Sequence, residues 1–109
     1  MPVVGWGAGG DHMAQLRDHW VDAEHMVRSR AWREGYESYR LGRAHDFSGP
    51  KSRALAYEYG RFTAAWLRAK GAHLPRITPM RPMNEAYVKP MARSMMEALE
   101  AGARDWDVP

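Results

Sequence analysis

The 109-residue chain contains no cysteine, which excludes disulfides, thiolate chemistry and cysteine-ligated zinc. It has no apolar run near the roughly 20 residues that a membrane-spanning helix needs. Its first residues are not a basic region followed by a long apolar run, so no secretory signal peptide is predicted. We therefore expect a soluble cytoplasmic protein that has no membrane partner.

Motifs of catalytic chemistry are missing as well. The sequence has no glycine-framed serine, no H-E-x-x-H and no Walker loop. Glycines within residues 5–10 match the letters of a dinucleotide-binding loop, but no convincing strands follow to build its sheet. His19, Asp22 and His25 lie three residues apart, and roughly 120° separates the outer two around a helix, which disfavours a shared metal. We predict a non-enzymatic protein without a cofactor or metal.

Positive charge is concentrated in the middle of the chain. Residues 28–81 carry twelve basic and four acidic side chains, a net charge of +8, and ten of the twelve cations are arginine. The flanking residues 1–27 and 82–109 carry net charges of −3 and −2. Arginine suits phosphate, and aromatic side chains among the arginines suit base stacking. A helix surface with solvated charges is the alternative explanation.

Two glycine-centred segments in this basic region predict paired helices. Gly35 lies in a ridge of small residues formed with positions 31, 38 and 42, and Gly60 lies in a second ridge with positions 56 and 63. A mid-helix glycine costs on the order of 1 kcal/mol relative to alanine, and close approach of another backbone is the usual reason for it. We predict an antiparallel hairpin in which the two ridges touch and the aromatic side chains surround them.

The first helix is predicted to begin after Asp11, which is a suitable N-cap. Its apolar stripe continues through Ala23 and Val27, so the helix either runs to about residue 43 or bends near residues 28–30. On its surface, Glu34 pairs with Arg30, and Glu37 pairs with Arg33 and Arg40; all are read as exposed ion pairs.

The later segments are predicted from their caps and prolines. Ser48 or Ser52 can cap the second helix, which ends at Gly71. Three prolines make residues 73–83 extended, either as a strap over the hairpin or as a linker. Asn84 can cap a short turn, but Pro90 is expected in the first turn of the last helix, since proline is favoured there. The apolar face of that helix, formed by Met91, Met95, Leu99 and Met96, is either core or the surface of a homodimer.

The predicted fold is all-α: a small helical domain built on an antiparallel helix–loop–helix hairpin with an additional C-terminal helix. The chain is divided into a flexible Gly-rich arm (1–10), a hairpin domain (11–71), a Pro-rich linker (72–83) and a Met-rich helix that packs on the same domain (84–109).

Residues 31–70 contain an A-x-x-x-G-Y motif, a Gly-Arg pair, a short loop ending near a proline, and a glycine flanked by aromatics: Ala31, Gly35, Tyr36, Gly42, Arg43, Tyr57, Gly60, Phe62 and Trp66. In these motifs the segment resembles the ribosome modulation factor family. Members of that family are small basic helix–loop–helix proteins. They bind the small ribosomal subunit near the messenger-exit region of its RNA and promote inactive ribosome dimers.

The resemblance implies a ribosome- or RNA-associated modulator of translation. The alternative is a phage or mobile-element protein that binds and inhibits a host protein or nucleoprotein complex. The predicted binding residues are cations for phosphates and exposed aromatics for stacking: Arg33, Arg40, Arg43, Arg53, Arg61, Arg68, Trp32, Tyr36 and Tyr57.

Overall fold

The computed structural model describes residues 21–101, which form helices and irregular segments and contain no strand. Helix α1 covers residues 21–27 of this part, and the later helices are α2 (Arg30–Arg40), α3 (Lys51–Ala69) and α4 (Glu85–Glu100). Helices α2 and α3 form a closely packed pair, and α4 packs on α3. The predicted all-α fold, with paired helices and a C-terminal helix, is confirmed.

The first helix ends and a new one begins near residues 28–30. The Ser29 hydroxyl caps α2 by accepting a hydrogen bond of 3.2 Å from the backbone N–H of Trp32. Of the two predicted alternatives, the bend is therefore the one observed. Ala23 and Val27 of the predicted apolar stripe are buried, whereas the predicted cap at Asp11 lies outside the described residues.

Helices α2 and α3 meet at two glycines. A Cβ atom added at Gly35 would overlap the backbone carbonyl of Tyr57 in α3. A Cβ atom added at Gly60 would overlap the carbonyl of Trp32 in α2. The predicted contact between the two small-residue ridges is confirmed, because only glycine leaves room for the opposite backbone at either position.

Contacts at the helix ends show the relative direction of α2 and α3. Arg68, in the last turn of α3, donates a hydrogen bond of 3.0 Å to the carbonyl of Arg40, the last residue of α2. In antiparallel helices crossing at Gly35 and Gly60, these two residues would lie about 20 Å apart. The C-terminal ends therefore lie on the same side. The connector of residues 41–50 can span up to about 33 Å and runs back along the pair, unlike the predicted antiparallel turn.

The ends of α3 are only partly as predicted. Pro50 occupies the N-cap position and no side chain caps the helix, so the predicted cap at Ser48 or Ser52 is wrong. Proline fixes its own φ and needs no hydrogen-bond partner for its nitrogen, which suits this position. Gly71 follows the helix with φ of 75°, and the N–H of Ala72 bonds the carbonyl of Leu67, so the predicted glycine end is confirmed.

The proline-rich segment is a strap along α2. The Tyr36 hydroxyl donates a hydrogen bond of 2.8 Å to the carbonyl of Pro75, and the Ile77 N–H donates one of 2.7 Å to the Glu37 carboxylate. Farther along, the Arg33 guanidinium donates to the carbonyl of Arg81. The segment thus follows α2 from its C-terminal half to its N-terminal end. It contains no helix, and it is interrupted by a turn at residues 79–80 that the sequence did not predict.

Helix α4 begins one turn earlier than predicted. The Asn84 side chain caps it by accepting a bond of 2.9 Å from the Ala86 N–H, and Pro90 lies inside the helix. The predicted start at Pro90 is wrong because burial of Val88 extends the helix toward its N-terminus. Pro90 is exposed, so water can solvate the Ala86 carbonyl, which loses its helical partner.

The methionine face of α4 is part of the core. Met91 and Met95 are buried together with Trp32 and Tyr36 of α2 and Leu67 of α3. The surface that suggested a homodimer is therefore covered by the chain itself, and dimerisation stays a prediction. Among the described residues, no helix is long and apolar enough to cross a membrane. The predicted arm, residues 1–10, and the last part of the predicted C-terminal helix, residues 102–109, lie outside the described residues.

Candidate nucleic-acid interface

Four of the predicted arginines meet at the C-terminal end of α2. The Arg61 guanidinium donates a hydrogen bond of 2.9 Å to the carbonyl of Arg43, and Arg68 donates one of 3.0 Å to the carbonyl of Arg40. Both guanidiniums lie over the ring of Tyr39, with their carbon atoms 5.4 Å and 5.0 Å from its centroid. We call Arg40, Arg43, Arg61, Arg68 and Tyr39 the basic patch.

The end of α2 explains why arginines gather in this place. The last carbonyls of a helix have no intrahelical partner, and they carry partial negative charge. Arg61 and Arg68 donate to carbonyls at this end, and Arg61 also bonds the Ser38 hydroxyl at 2.9 Å. A guanidinium has five N–H donors, so donors remain on both side chains for an external acceptor.

The patch has little opposing charge. Arg43 and Arg68 are exposed, and the Arg43 side chain has no ion-pair or hydrogen-bond partner within residues 21–101. Arg40 is neutralised by Glu37, whose carboxylate accepts two hydrogen bonds of 2.8 Å from it. That bidentate bond raises the pKa of Arg40 above its usual value. Three arginines of the patch are thus left without a carboxylate partner among the described residues.

Glu37 differs from the exposed ion-pair residue predicted from the sequence. It is buried, and it also accepts a bond from the strap at Ile77, so its carboxylate joins α2 to the strap. No direct bond from Arg33 to Glu37 is present; Arg33 bonds backbone carbonyls instead. The predicted pair of Arg30 and Glu34 forms on the surface at 3.2 Å.

The prediction that three aromatic side chains are exposed for stacking is wrong. Trp32 and Tyr36 are fully buried, with 0% exposure each, and Tyr57 is 3% exposed. The rings of Trp32 and Tyr36 stack on each other in the core at 5.4 Å. Tyr57 is fixed by its hydroxyl, which donates 3.1 Å to Ser38 and accepts from the Asp46 N–H. None of the three presents a ring face to a partner.

Two predicted arginines also lie away from the patch. Arg33 is 6% exposed, and burial lowers its pKa below the usual value. Its guanidinium bonds the Arg81 carbonyl of the strap and is not available to a phosphate from solution. Arg53 is exposed but lies at the other end of the helix pair, beside Arg30 in a separate groove near Ser29. The six predicted arginines therefore divide into four that cluster and two that do not.

Sequence reasoning missed Tyr39. A signal was available, because Arg61 and Arg68 are seven residues apart and so share a helical face. Nothing in the sequence showed that this face meets the end of α2, since that contact depends on the direction of the helices. Tyr39 is only half-buried, so part of its ring remains at the surface among the arginines.

A groove of about 1030 Å³ adjoins the patch. Its floor is formed by Glu37, Ser38 and Tyr57, whose polar groups bond one another or neighbouring side chains and backbone. Its walls are the connector and the strap, and its charged rim includes Arg40, Arg43, Arg76, Glu34 and Asp46. We call this space the connector groove.

The structure does not support a metal site at His19, Asp22 and His25. Asp22 and His25 are exposed on α1, and His19 lies outside the described residues. Within residues 21–101, no group of three or more His, Cys, Asp and Glu side chains is placed to hold a metal ion.

Comparisons of the chain with protein-family models, with curated proteins and with solved structures find no match. The resemblance to the ribosome modulation factor family therefore stays a prediction from the residues quoted above.

Proposed function

We propose that this protein is a non-enzymatic binding protein that contacts RNA through the basic patch. The observation that carries the proposal is the gathering of four arginines at the C-terminal end of α2: Arg61 and Arg68 lie over Tyr39 and bond the carbonyls of Arg43 and Arg40. Among the described residues, only Arg40 of these four has a carboxylate partner. Guanidiniums bind phosphate through paired N–H donors, and a backbone of closely spaced phosphates can engage several of them together.

The distribution of charge supports an extended anionic partner. Residues 28–81 carry a net charge of +8, and the patch lies within them. Several cations with the same sign on one face attract a polyanion over a distance of about 10 Å at 0.1 M salt. Arg61 and Arg68 are also held in place by bonds to the backbone carbonyls of Arg43 and Arg40, so less side-chain entropy is lost when they bind.

Ribosomal RNA is the first RNA to test, because residues 31–70 resemble the ribosome modulation factor family. In this proposal the protein modulates translation as a ribosome-associated factor. The buried aromatics and Arg33 take no part in binding; they hold the fold that presents the patch.

The test is retention of ribosomes on the immobilised full-length protein, with and without nuclease treatment of the lysate. We expect ribosomal RNA to be retained and to be lost after nuclease treatment. We also expect binding to weaken steeply between about 50 and 200 mM salt, because phosphate contacts release counterions. Retention of a protein complex that survives nuclease and salt would reject RNA binding and support the alternative, an inhibitor of a host protein complex.

A further inference from the structure

We infer that the connector groove takes single-stranded RNA, with one base on the ring of Phe47 and the adjoining phosphate between Arg43 and Arg76. This inference rests on the proposed RNA-binding function and adds to it the form of RNA that is bound. Three observations carry it: unpaired cations on both walls, a fixed aromatic ring, and continuity with the basic patch.

The cations come from two different segments. Arg43 belongs to the connector and Arg76 to the strap, and both line the groove. Both are exposed, and neither side chain has a partner among the described residues. Both residues line the same groove, so both guanidiniums are available to a phosphate bound there, whereas the nearby Arg40 is already paired with Glu37.

Phe47 provides the aromatic surface. Its ring lies 4.9 Å from that of Tyr57, tilted by 32°, and Tyr57 is itself fixed by hydrogen bonds. On another side the ring lies against Gly49, where an added Cβ would overlap it. Phe47 is half-exposed, so part of the ring remains open to the groove. A ring held in this way can stack on a base of any identity.

Acceptors on the rim suit base edges. Asp46 and Glu34 line the same groove, and Asp46 has no side-chain partner among the described residues. These carboxylates disfavour a continuous phosphate backbone along the floor, but they can accept hydrogen bonds from the amino groups of a base. Bases are available for such contacts in single strands and are paired in duplexes.

The groove and the patch share Arg40 and Arg43. A strand whose phosphates lie on Arg61 and Arg68 can therefore pass Arg43 and enter the groove. The groove, of about 1030 Å³, has room for a nucleotide base beside Phe47, and a base can enter it only where it is unpaired, as in a single strand.

The experiment measures binding of the full-length protein to two fluorescein-labelled RNAs by anisotropy: a single-stranded octamer and a blunt hairpin of matched length. We expect tighter binding of the single strand. Arg76→Gln should weaken it roughly tenfold, as for loss of a hydrogen bond to a charged group. Phe47→Leu should weaken it roughly five- to a hundredfold, as for loss of stacking on one base.

Arg81→Gln is the matched control, because Arg81 lies on the same strap, is exposed, and does not line the groove. Equal binding of strand and hairpin, or equal effects of Arg76→Gln and Arg81→Gln, would overturn the groove inference and leave RNA binding intact. Absence of binding to both RNAs would overturn the proposed function itself. If Phe47→Leu does not fold, Arg76→Gln decides alone. Tight binding of an acidic peptide that depends on Arg76, without RNA binding, would also overturn the inference.

Discussion

Gly35 of α2 and Gly60 of α3 each face the backbone of the other helix. The missing side chain of Gly35 leaves room for the Tyr57 carbonyl, and that of Gly60 leaves room for the Trp32 carbonyl. Because the obstacle is backbone in both cases, no rotamer change can relieve an added methyl group. The helices would have to separate.

We therefore expect Gly35→Ala and Gly60→Ala each to lower the free energy of unfolding by about 2 kcal/mol or more. Alanine gains about 1 kcal/mol of helix propensity, but overpacking in a tight contact costs more than this. Urea unfolding followed by circular dichroism measures the change. Gly42→Ala is the control: its positive φ costs about 1–2 kcal/mol, but nothing lies within 4 Å of an added Cβ. Equal or smaller losses at Gly35 and Gly60 would contradict the packing.

The glycine contact could be predicted from the sequence because small residues at helical spacing have one main use. The direction of the helices could not, since it depends on the path of residues 41–50. The aromatics were misassigned for a related reason. Trp32 and Tyr36 adjoin the glycine ridge, and a ring there can point to the core or to solvent with the same periodicity. Trp32 and Tyr36 point to the core because α4 and the strap pack over them, and the sequence pattern of α2 does not show that packing.

Glu37 joins α2 to the strap, and Glu37→Ala tests that role. We expect a loss of about 2–4 kcal/mol, because the buried N–H of Ile77 and the Arg40 guanidinium lose their acceptor. Hydrogen exchange at the Ile77 amide should also become faster. Glu34→Ala removes a partly exposed ion pair with Arg30 and should cost less than about 1 kcal/mol. Equal losses for both variants would show that the strap does not depend on Glu37.

Tyr36 makes stability sensitive to alkaline pH. Burial raises the pKa of its hydroxyl well above the ordinary value of 10.0. The unfolded state therefore loses this proton first, and stability is unaffected below about pH 10 and falls as pH rises further, by at most about 1.4 kcal/mol per pH unit. Tyr36→Phe should remove this part of the decline while costing about 1 kcal/mol at neutral pH for the lost bond to Pro75. Urea unfolding of both proteins between about pH 8 and 11.5 measures the difference, and parallel curves would contradict the assignment.

Pro90 lies inside α4 on its exposed side, so its replacement should stabilise the protein. Pro90→Ala supplies an N–H for the Ala86 carbonyl and removes the ring, a change worth up to about 3 kcal/mol in a helix interior. Thermal unfolding should show a higher midpoint. Pro82→Ala is the control, since Pro82 is exposed and lies outside the helices; there the variant should be neutral or slightly less stable. A fall in stability for Pro90→Ala would mean that the proline shapes a required bend.

The basic patch is tested by comparing two double variants that each remove two arginine charges, one pair within the patch and one pair outside it. The double variant Arg43→Gln/Arg68→Gln removes two exposed patch cations, and Arg53→Gln/Arg81→Gln removes two exposed cations from the other end of α2. Each variant loses two positive charges, so the two have the same net charge and their long-range attraction to RNA falls equally. Only the patch variant should lose direct phosphate contacts.

Binding of a single-stranded RNA is then measured at several salt concentrations. We expect the slope of log affinity against log salt to shrink by about two for the patch variant and to change little for the other, because each lost phosphate contact removes about one released counterion. At low salt, the affinity for RNA should fall more for the patch variant than for the Arg53→Gln/Arg81→Gln variant. Equal slopes for the two variants would mean that RNA is held by diffuse charge over the whole basic region, and the arginines around Tyr39 would then serve only to close the end of α2.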